Sequence, residues 1–352
     1  MKVCYFGTYE RAYPRNAQVI ACLQGAGVDV VEEHVPVWDD LREGWSAGLG
    51  RLLTLFAAEG KLLTRSAQGA DALVVGYPGH LDLTAARRAA RGAPIVFNPL
   101  VSLTDTLVSD RRRFRPGSLP ARALVALDRH AFRAADLVVA DTEAHARFLA
   151  DLAGLGVVEV CFVGAEDRLF RPGWDPSEPF TALFVGKLIP LQGIETILAA
   201  ARLAPEIRFR VVGSGQLAPL LAVKPANVEH VPWVEYELLP AELRRAGCAL
   251  GIFGVGAKTQ RVIPNKAFQA LACGTPLVTA DTPAARELLT DGQSALLLPA
   301  GDPQALADTV RRLAGDAALA RRIGGGGRKA YEQKASENVL GQRWRRIIER
   351  LI

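Results

Sequence analysis

Short apolar runs alternate with amphipathic stretches along most of the chain, and that alternation predicts an α/β protein built on parallel sheets. Val3 to Phe6 reads as a buried strand, closed by the loop from Gly7 to Asn16. A helix is expected from about Asn16, as its cap, to Gln24, and Val28 to Val35 follows as a second strand. Strand, helix, strand in this order is the opening unit of a parallel sheet. The same rhythm continues through strands within Ala72 to His80, after Pro94, at Ala135 to Ala140 and at Val157 to Val163, with helices at Asp128 to Ala134 and Glu143 to Leu152. Leu49, Leu52, Leu53 and Phe56 recur at helical spacing beside Arg42, Arg51, Lys61 and Arg65. They read as a surface helix with its stripe toward the core; a helix lying on a membrane is the second reading.

Residues 164–176 are rich in proline and lack periodicity, so the domain linker falls there. The pattern then restarts. Strands are expected at Thr181 to Gly186, Ile207 to Val212, Val228 to Val234, Ala249 to Phe253, Pro276 to Ala280 and Ala295 to Leu298. Helices are expected at Gly193 to Arg202, Ala267 to Cys273 and Gln304 to Arg322, the last ended by Gly324 to Gly327. Leu340, Trp344, Ile347, Ile348 and Leu351 mark a terminal amphipathic helix. Two doubly wound domains follow, 1–165 and 166–335, with 336–352 packing back toward the first.

Length agrees, since 352 residues exceed one ordinary domain. With 49% hydrophobic and 22% charged residues the chain can bury two cores. The net charge of +5 is too slight for a nucleic-acid binder. It suits an anionic ligand or an acidic membrane surface, and peripheral membrane contact is a further expectation. The five cysteines are an odd number, scattered, with no zinc spacing, and read as buried thiols of a cytoplasmic protein. No apolar run reaches the length of a signal peptide or a membrane span, so the expected location is the cytoplasm, with the inner face of the membrane as a variant.

The most informative stretch runs from Arg261 through Pro264-Asn-Lys266 to Gly274 and Pro276. A loop entering a helix presents unpaired N–H groups and the positive end of a dipole, a seat for phosphate, and Lys266 adds a full charge. In open α/β sheets ligands gather at the carboxyl ends of strands. Gly7, Arg11, Arg15 and Asn16 are therefore candidate contacts, with a turn and a helix cap as the structural alternative.

Several glycine- and proline-marked segments follow one another through the second half. They are Phe184-Val-Gly-Lys-Leu-Ile-Pro-Leu-Gln-Gly-Ile194, Val211-Val-Gly-Ser-Gly-Gln216, Val231-Pro-Trp-Val234 with Leu239-Pro-Ala-Glu-Leu243, and Phe268-Gln-Ala-Leu-Ala-Cys-Gly-Thr-Pro-Leu-Val278. The second half thereby resembles the nucleotide-sugar domain of family-4 (group 1) glycosyltransferases. The first half is more loosely similar to their acceptor domains. The resemblance implies a GT-B fold, two facing Rossmann-like domains with a cleft between them. It also implies transfer from a nucleoside-diphosphate sugar to a carbohydrate, lipid-linked or small-molecule acceptor, with retention. No cofactor beyond the donor substrate is expected. The chain carries no Asp-x-Asp motif, so no metal is expected either.

On this resemblance Lys187 and Lys266 stabilise the leaving diphosphate. Gly7, Gly186, Gln192, Gly213, Gly215, Trp233, Val234, Arg261, Pro264, Asn265 and Gln269 line the donor. The chain departs from the family in two places. Gln192 stands where a lysine is usual, and Arg261 and Gln269 replace the paired glutamates. Asp105, at the exit of the strand after Pro94, is the expected acceptor-side base. His80 competes with it, and Ser102 lies on the same loop as Asp105. The lost glutamates also motivate a rival reading, a catalytically silent nucleotide- or glycan-binding protein. A sugar-nucleotide epimerase is a third.

Overall fold

The computed structural model describes residues 1–11, 13–37 and 49–352, the side chains of 49–52 excepted. Arg42 and the Arg51 side chain therefore lie outside the description. The chain forms two compact units, Met1–Val163 with Glu337–Ile352, and Gly164–Ser336.

Unit 1 opens with β1 (Lys2–Gly7), α1 (Pro14–Gly25), β2 (Asp29–His34), α2 (Leu49–Leu62), β3 (Ala72–Val75), α3 (Leu83–Ala90) and β4 (Ile95–Phe97). It continues with α4 (Leu119–Ala134), β5 (Leu137–Ala140), α5 (Glu143–Ala153) and β6 (Glu159–Val160). Its six strands are parallel, in the order β2-β1-β3-β4-β5-β6. The strands β3 and β4, and β1 from Val3 onward, are buried and read as apolar runs, as helix cover on both faces requires. On one face, Ala58 and Leu62 of α2 join the buried sides of α3, α4 and α5 in one core.

Unit 2 contains β7 (Thr181–Val185), α6 (Ile194–Leu203), β8 (Arg208–Val212), β9 (Val228–Val231), α7 (Leu239–Arg245), β10 (Cys248–Leu250) and α8 (Asn265–Cys273). Then follow β11 (Leu277–Ala280), α9 (Pro283–Leu288), β12 (Leu296–Leu298), α10 (Pro303–Gly315) and α11 (Ala317–Lys334). The sheet is again six-stranded and parallel, in the order β12-β11-β10-β7-β8-β9. The chain then returns to unit 1 as α12 (Glu337–Glu349), whose Leu340, Trp344, Ile347 and Ile348 pack with Val19, Cys22 and Leu23 of α1.

Four expectations are corrected. Asn16 is not a helix cap: α1 starts at Pro14 after Tyr13, and proline at the first position supplies the start. The glycines 324–327 do not stop a helix but lie inside α11. A side chain on Gly324 would come within 2.3 Å of the Gly274 carbonyl oxygen, and one on Gly327 within 2.7 Å of Leu271. The glycine run is thus a smooth surface for close packing of α11 on α8, which outweighs its cost in helix propensity. The helix expected from Asp128 begins at Leu119, capped by Ser118. Finally, the α2 stripe is not turned wholly to the core, because Leu53 is 74% and Phe56 66% exposed.

Trp344 is 1% exposed and its ring lies 5.5 Å from the Arg15 guanidinium carbon. Replacing so large a buried side chain leaves a cavity, so Trp344→Ala is expected to cost about 3–5 kcal/mol. Urea unfolding of the purified variant measures this.

Candidate functional site

In unit 2 the loops leaving β7, β8 and β10 are bound to one another by their backbones. The Gly186 N–H donates to Val212 O (2.9 Å), Leu188 N–H to Ser214 O (2.9 Å), and Phe253 N–H to Gln192 O (3.1 Å). Gly213, at φ +138°, would place any β-carbon 2.0 Å from the Gly186 carbonyl oxygen. Only glycine permits that approach, and it fixes the height of the Gly186–Lys187 turn above the sheet.

Lys266 rises toward this turn from the first turn of α8. It is 7% exposed, and its Nζ sits 3.4 Å from the centroid of the Phe184 ring with no hydrogen-bond partner. Gln192 Oε1 is likewise buried and unpartnered, and both atoms lie within 4 Å of the point where a Gly186 β-carbon would stand. Burial holds the Lys266 amine well below the ordinary lysine range. A ring face contributes about 2 kcal/mol to a desolvated cation, whereas burying a lone ammonium costs several. The site therefore favours an anion that would supply the missing acceptor.

Pro264 caps α8 in an extended conformation without a side-chain cap, and Asn265 opens the helix. Gln269, on the same helix, donates from Nε2 to Tyr236 Oη at 3.5 Å, which leaves Oε1 as an acceptor. Tyr236 packs edge-on against Phe170, 5.6 Å between centroids. Lys187 is exposed at the turn after β7, Arg261 and Val234 are half-buried, and Trp233 is 52% exposed. Lys266, Gln192 and Gly186 are brought together. A small apolar cavity of about 10 Å³ lies under the start of α8, between Ile263, Pro264, Ala267 and Thr279.

At the carboxyl edge of unit 1, Asn16 Oδ1 accepts from Tyr5 Oη and the Tyr77 N–H (both 2.9 Å), while its Nδ2 donates to Glu10 O and Tyr77 O. Arg15 donates to Asn98 Oδ1 (3.0 Å), Cys161 O and Phe162 O, and is 1% exposed. Both side chains thus bracket strand exits from inside, while Arg15 Nη2 is left buried without a hydrogen-bond partner. Arg11 is surface-exposed and paired with Glu32 at 2.6 Å.

His80 is buried between Phe97 and Phe132, with Nδ1 2.6 Å from Pro78 O and Nε2 3.4 Å from Asp128 Oδ1. Asp128 also accepts from Ser102 Oγ (2.7 Å) and the N–H groups of Leu103 and Thr104 (each 2.9 Å). Burial opposes its ionisation, but these donors hold its carboxyl below the usual range. Asp105 follows on this pinned loop, 3% exposed, and opens a π-helical turn from Asp105 to Asp110.

Two acidic residues escaped the sequence reading. Asp82 accepts from the Thr8 N–H (2.7 Å) and Thr8 Oγ1 (3.0 Å), and its carboxylate fills the space a side chain on Gly7 would need. Glu59 of α2 faces it, and burial raises the pKa of both carboxyls, each further shaped by the other. The signal for Asp82 was its place two residues after His80; for Glu59 there was none, since a glutamate on a surface helix is ordinary.

Residues 179–316 match the family model described as glycosyl transferases group 1. A D-inositol 3-phosphate glycosyltransferase of Nocardioides is 31% identical over 229 residues, 55% of this chain and 49% of that protein. The chain spans about half the length of that relative. A sucrose-phosphate synthase from Thermosynechococcus elongatus shares the fold with a TM-score of 0.76 at 17% identity, over 100% of this chain and 99% of that one. Anabaena HepE, solved with UDP-glucose, gives 0.70 at 17% identity over 100% of both chains. The fold is GT-B, and residues 179–316 of the second unit carry the group 1 glycosyltransferase match.

Two outcomes follow for ionisable groups. Unfolded, Lys266 binds its proton up to about pH 10; folded, it releases it lower. The unfolded state thus holds more protons between those values, and stability rises with pH there. Lys266→Met is expected to remove that slope and to stabilise the free protein by about 1–3 kcal/mol, read from unfolding at several pH values. The Glu59–Asp82 pair has the opposite sign. Its folded state holds more protons than the unfolded one above about pH 5, so stability falls as pH rises. Glu59→Gln should flatten the melting temperature between pH 5 and pH 9 as measured by calorimetry.

Proposed function

We propose that the chain transfers a glycosyl group from a nucleoside-diphosphate sugar to a hydroxyl acceptor, with retention and without a metal ion. The observation that carries this is Lys266, buried and unpartnered beside Gln192 and Gly186 in a domain of the group 1 family. In the reaction the bond from the anomeric carbon to the phosphate oxygen breaks, and charge collects on the departing diphosphate. Lys266, the N–H groups opening α8 and Lys187 stabilise that charge, an effect largest where water is excluded. The acceptor oxygen bonds to the same face of the anomeric carbon, and its proton passes to the departing phosphate oxygen. Asp105 is the unit 1 group assigned to receive that proton should the phosphate not do so. Unit 2 holds the donor and unit 1 the acceptor. That HepE was solved with UDP-glucose supports this class of donor.

Gln269 stands in for a carboxylate at the ribose. With Nε2 engaged by Tyr236, its Oε1 accepts a ribose hydroxyl, more weakly than an ionised group would. The exchange of both glutamates for Arg261 and Gln269 also favours a second reading, a binder without turnover. A panel of nucleotide sugars separates them. The expected result is thermal stabilisation by one donor together with slow release of its nucleotide, and Lys266→Met should lower turnover by about 10²–10³-fold. Stabilisation with no hydrolysis or transfer to any acceptor would establish the silent binder.

A further inference from the structure

An amide at position 269 has two ends. Its oxygen accepts and its NH2 group donates, so a side chain free to turn over offers a ligand either one, whereas a carboxylate only accepts. What fixes the Gln269 amide is the surroundings of Tyr236, whose Oη receives its Nε2 at 3.5 Å.

Tyr236 opens a short 3-10 turn, Tyr236–Leu238, and the buried Phe170 packs edge-on against its ring. Phe170 ends a turn that Glu166 begins, since the Leu169 and Phe170 N–H groups donate to Glu166 O at 3.0 and 2.8 Å. One turn thus presents both the Phe170 ring and the Glu166 side chain to Tyr236, whose hydroxyl is hydrogen-bonded to the Glu166 carboxylate. The segment is anchored from α11. Tyr331, fully buried there, places its Oη 3.0 Å from Ala165 O and 2.7 Å from Asp167 Oδ1, on either side of Glu166. Arg168 also reaches Glu166 Oε2 at 2.9 Å, but the arginine side chain is 79% exposed and water weakens that pair.

A carboxylate has no proton to give. In its bond to Glu166, Tyr236 is therefore the donor; its one proton is used, and toward Gln269 its oxygen can only accept. The Gln269 Nε2 must then face Tyr236, and Oε1 faces away. Burial raises the Tyr236 pKa, the bond to Glu166 raises it further, and the bond from Gln269 lowers it. Those signs belong to a hydroxyl that donates to the first partner and accepts from the second.

We propose that Glu166, acting through Tyr236, is a positioning residue that holds the Gln269 amide with its oxygen toward the nucleotide, so that unit 2 selects a ribose that donates a hydroxyl. The proposal rests on the reading of unit 2 as the donor seat. The chain lacks a carboxylate at position 269 and keeps one two hydrogen bonds behind it. Each bond in such a chain polarises the next, so Oε1 accepts more strongly than the oxygen of an isolated amide.

The test is titration calorimetry of the full chain with UDP, GDP and ADP, and with the 2′,3′-dideoxy form of whichever binds. Wild-type protein is expected to hold the ribose form about tenfold more tightly than the dideoxy form. Glu166→Gln and Tyr236→Phe should each reduce that preference to about twofold. Affinity for the dideoxy form should stay as it was, which also shows that each variant is folded. The double variant should fall no further than either single one, as expected of residues acting in one chain. Gln269→Glu added to Glu166→Gln should restore the preference, because it sets the charge directly at the ribose; damage to packing alone would not be rescued this way. A chain that binds none of the three diphosphates fails as a donor domain of this kind, and the proposal falls with that reading. Binding without preference for ribose removes Gln269 from the ribose. A preference that survives both Glu166→Gln and Tyr236→Phe overturns the role of Glu166 and leaves the donor seat standing.

Discussion

A primary amine buried without a partner is the constraint around which unit 2 is arranged. Lys266 costs the folded domain energy, and the domain tolerates it because its surroundings cannot relax. Phe184 is locked in the central strand, Gly213 presses on the Gly186 carbonyl, and α11 clamps α8 through a run of glycines. Loosening any of these would let the amine swing to water. Rigidity elsewhere is what keeps the buried amine poised, and the same close packing explains why the turns at Gly186 and Gly213 carry glycine.

Unit 1 uses its polar groups differently. Asn16, Arg15, Asp128 and Asp82 each tie two or more strand exits together, so its carboxyl edge is a network of brackets rather than an array of free side chains. That edge is thus shaped by backbone held in position, with Asp105 and His80 set on loops whose course Asp128 fixes.

The apolar periodicity carried the two-sheet architecture, because strands buried on both faces leave unbroken runs such as Val3 to Phe6 and Ala72 to Val75. The lysine in the first turn of α8 was also legible, since a helix start, a lysine and a glycine stop are local signals. What stayed hidden depends on long-range contact. Nothing near Arg15 announces that its guanidinium is held by residues more than eighty positions away. Four glycines in a row signal a helix end by propensity, and only the carbonyls of Gly274 and Gln293 pressed against them reverse that reading. Glu59 and Asp82 are likewise unremarkable until the fold buries them together.

The last helix has a consequence for how the protein comes into being. Because α12 belongs to unit 1 while all of unit 2 precedes it, unit 1 is interrupted in sequence and unit 2 is not. During synthesis unit 2 has its whole sequence available while the apolar side of α1 still lacks its cover. Of the two units, the one that opens this sequence is closed after the other, and until α12 is made Val19, Cys22 and Leu23 await their partner. The helix α12 is a closing piece, so its loss would be felt at α1, more than three hundred residues earlier.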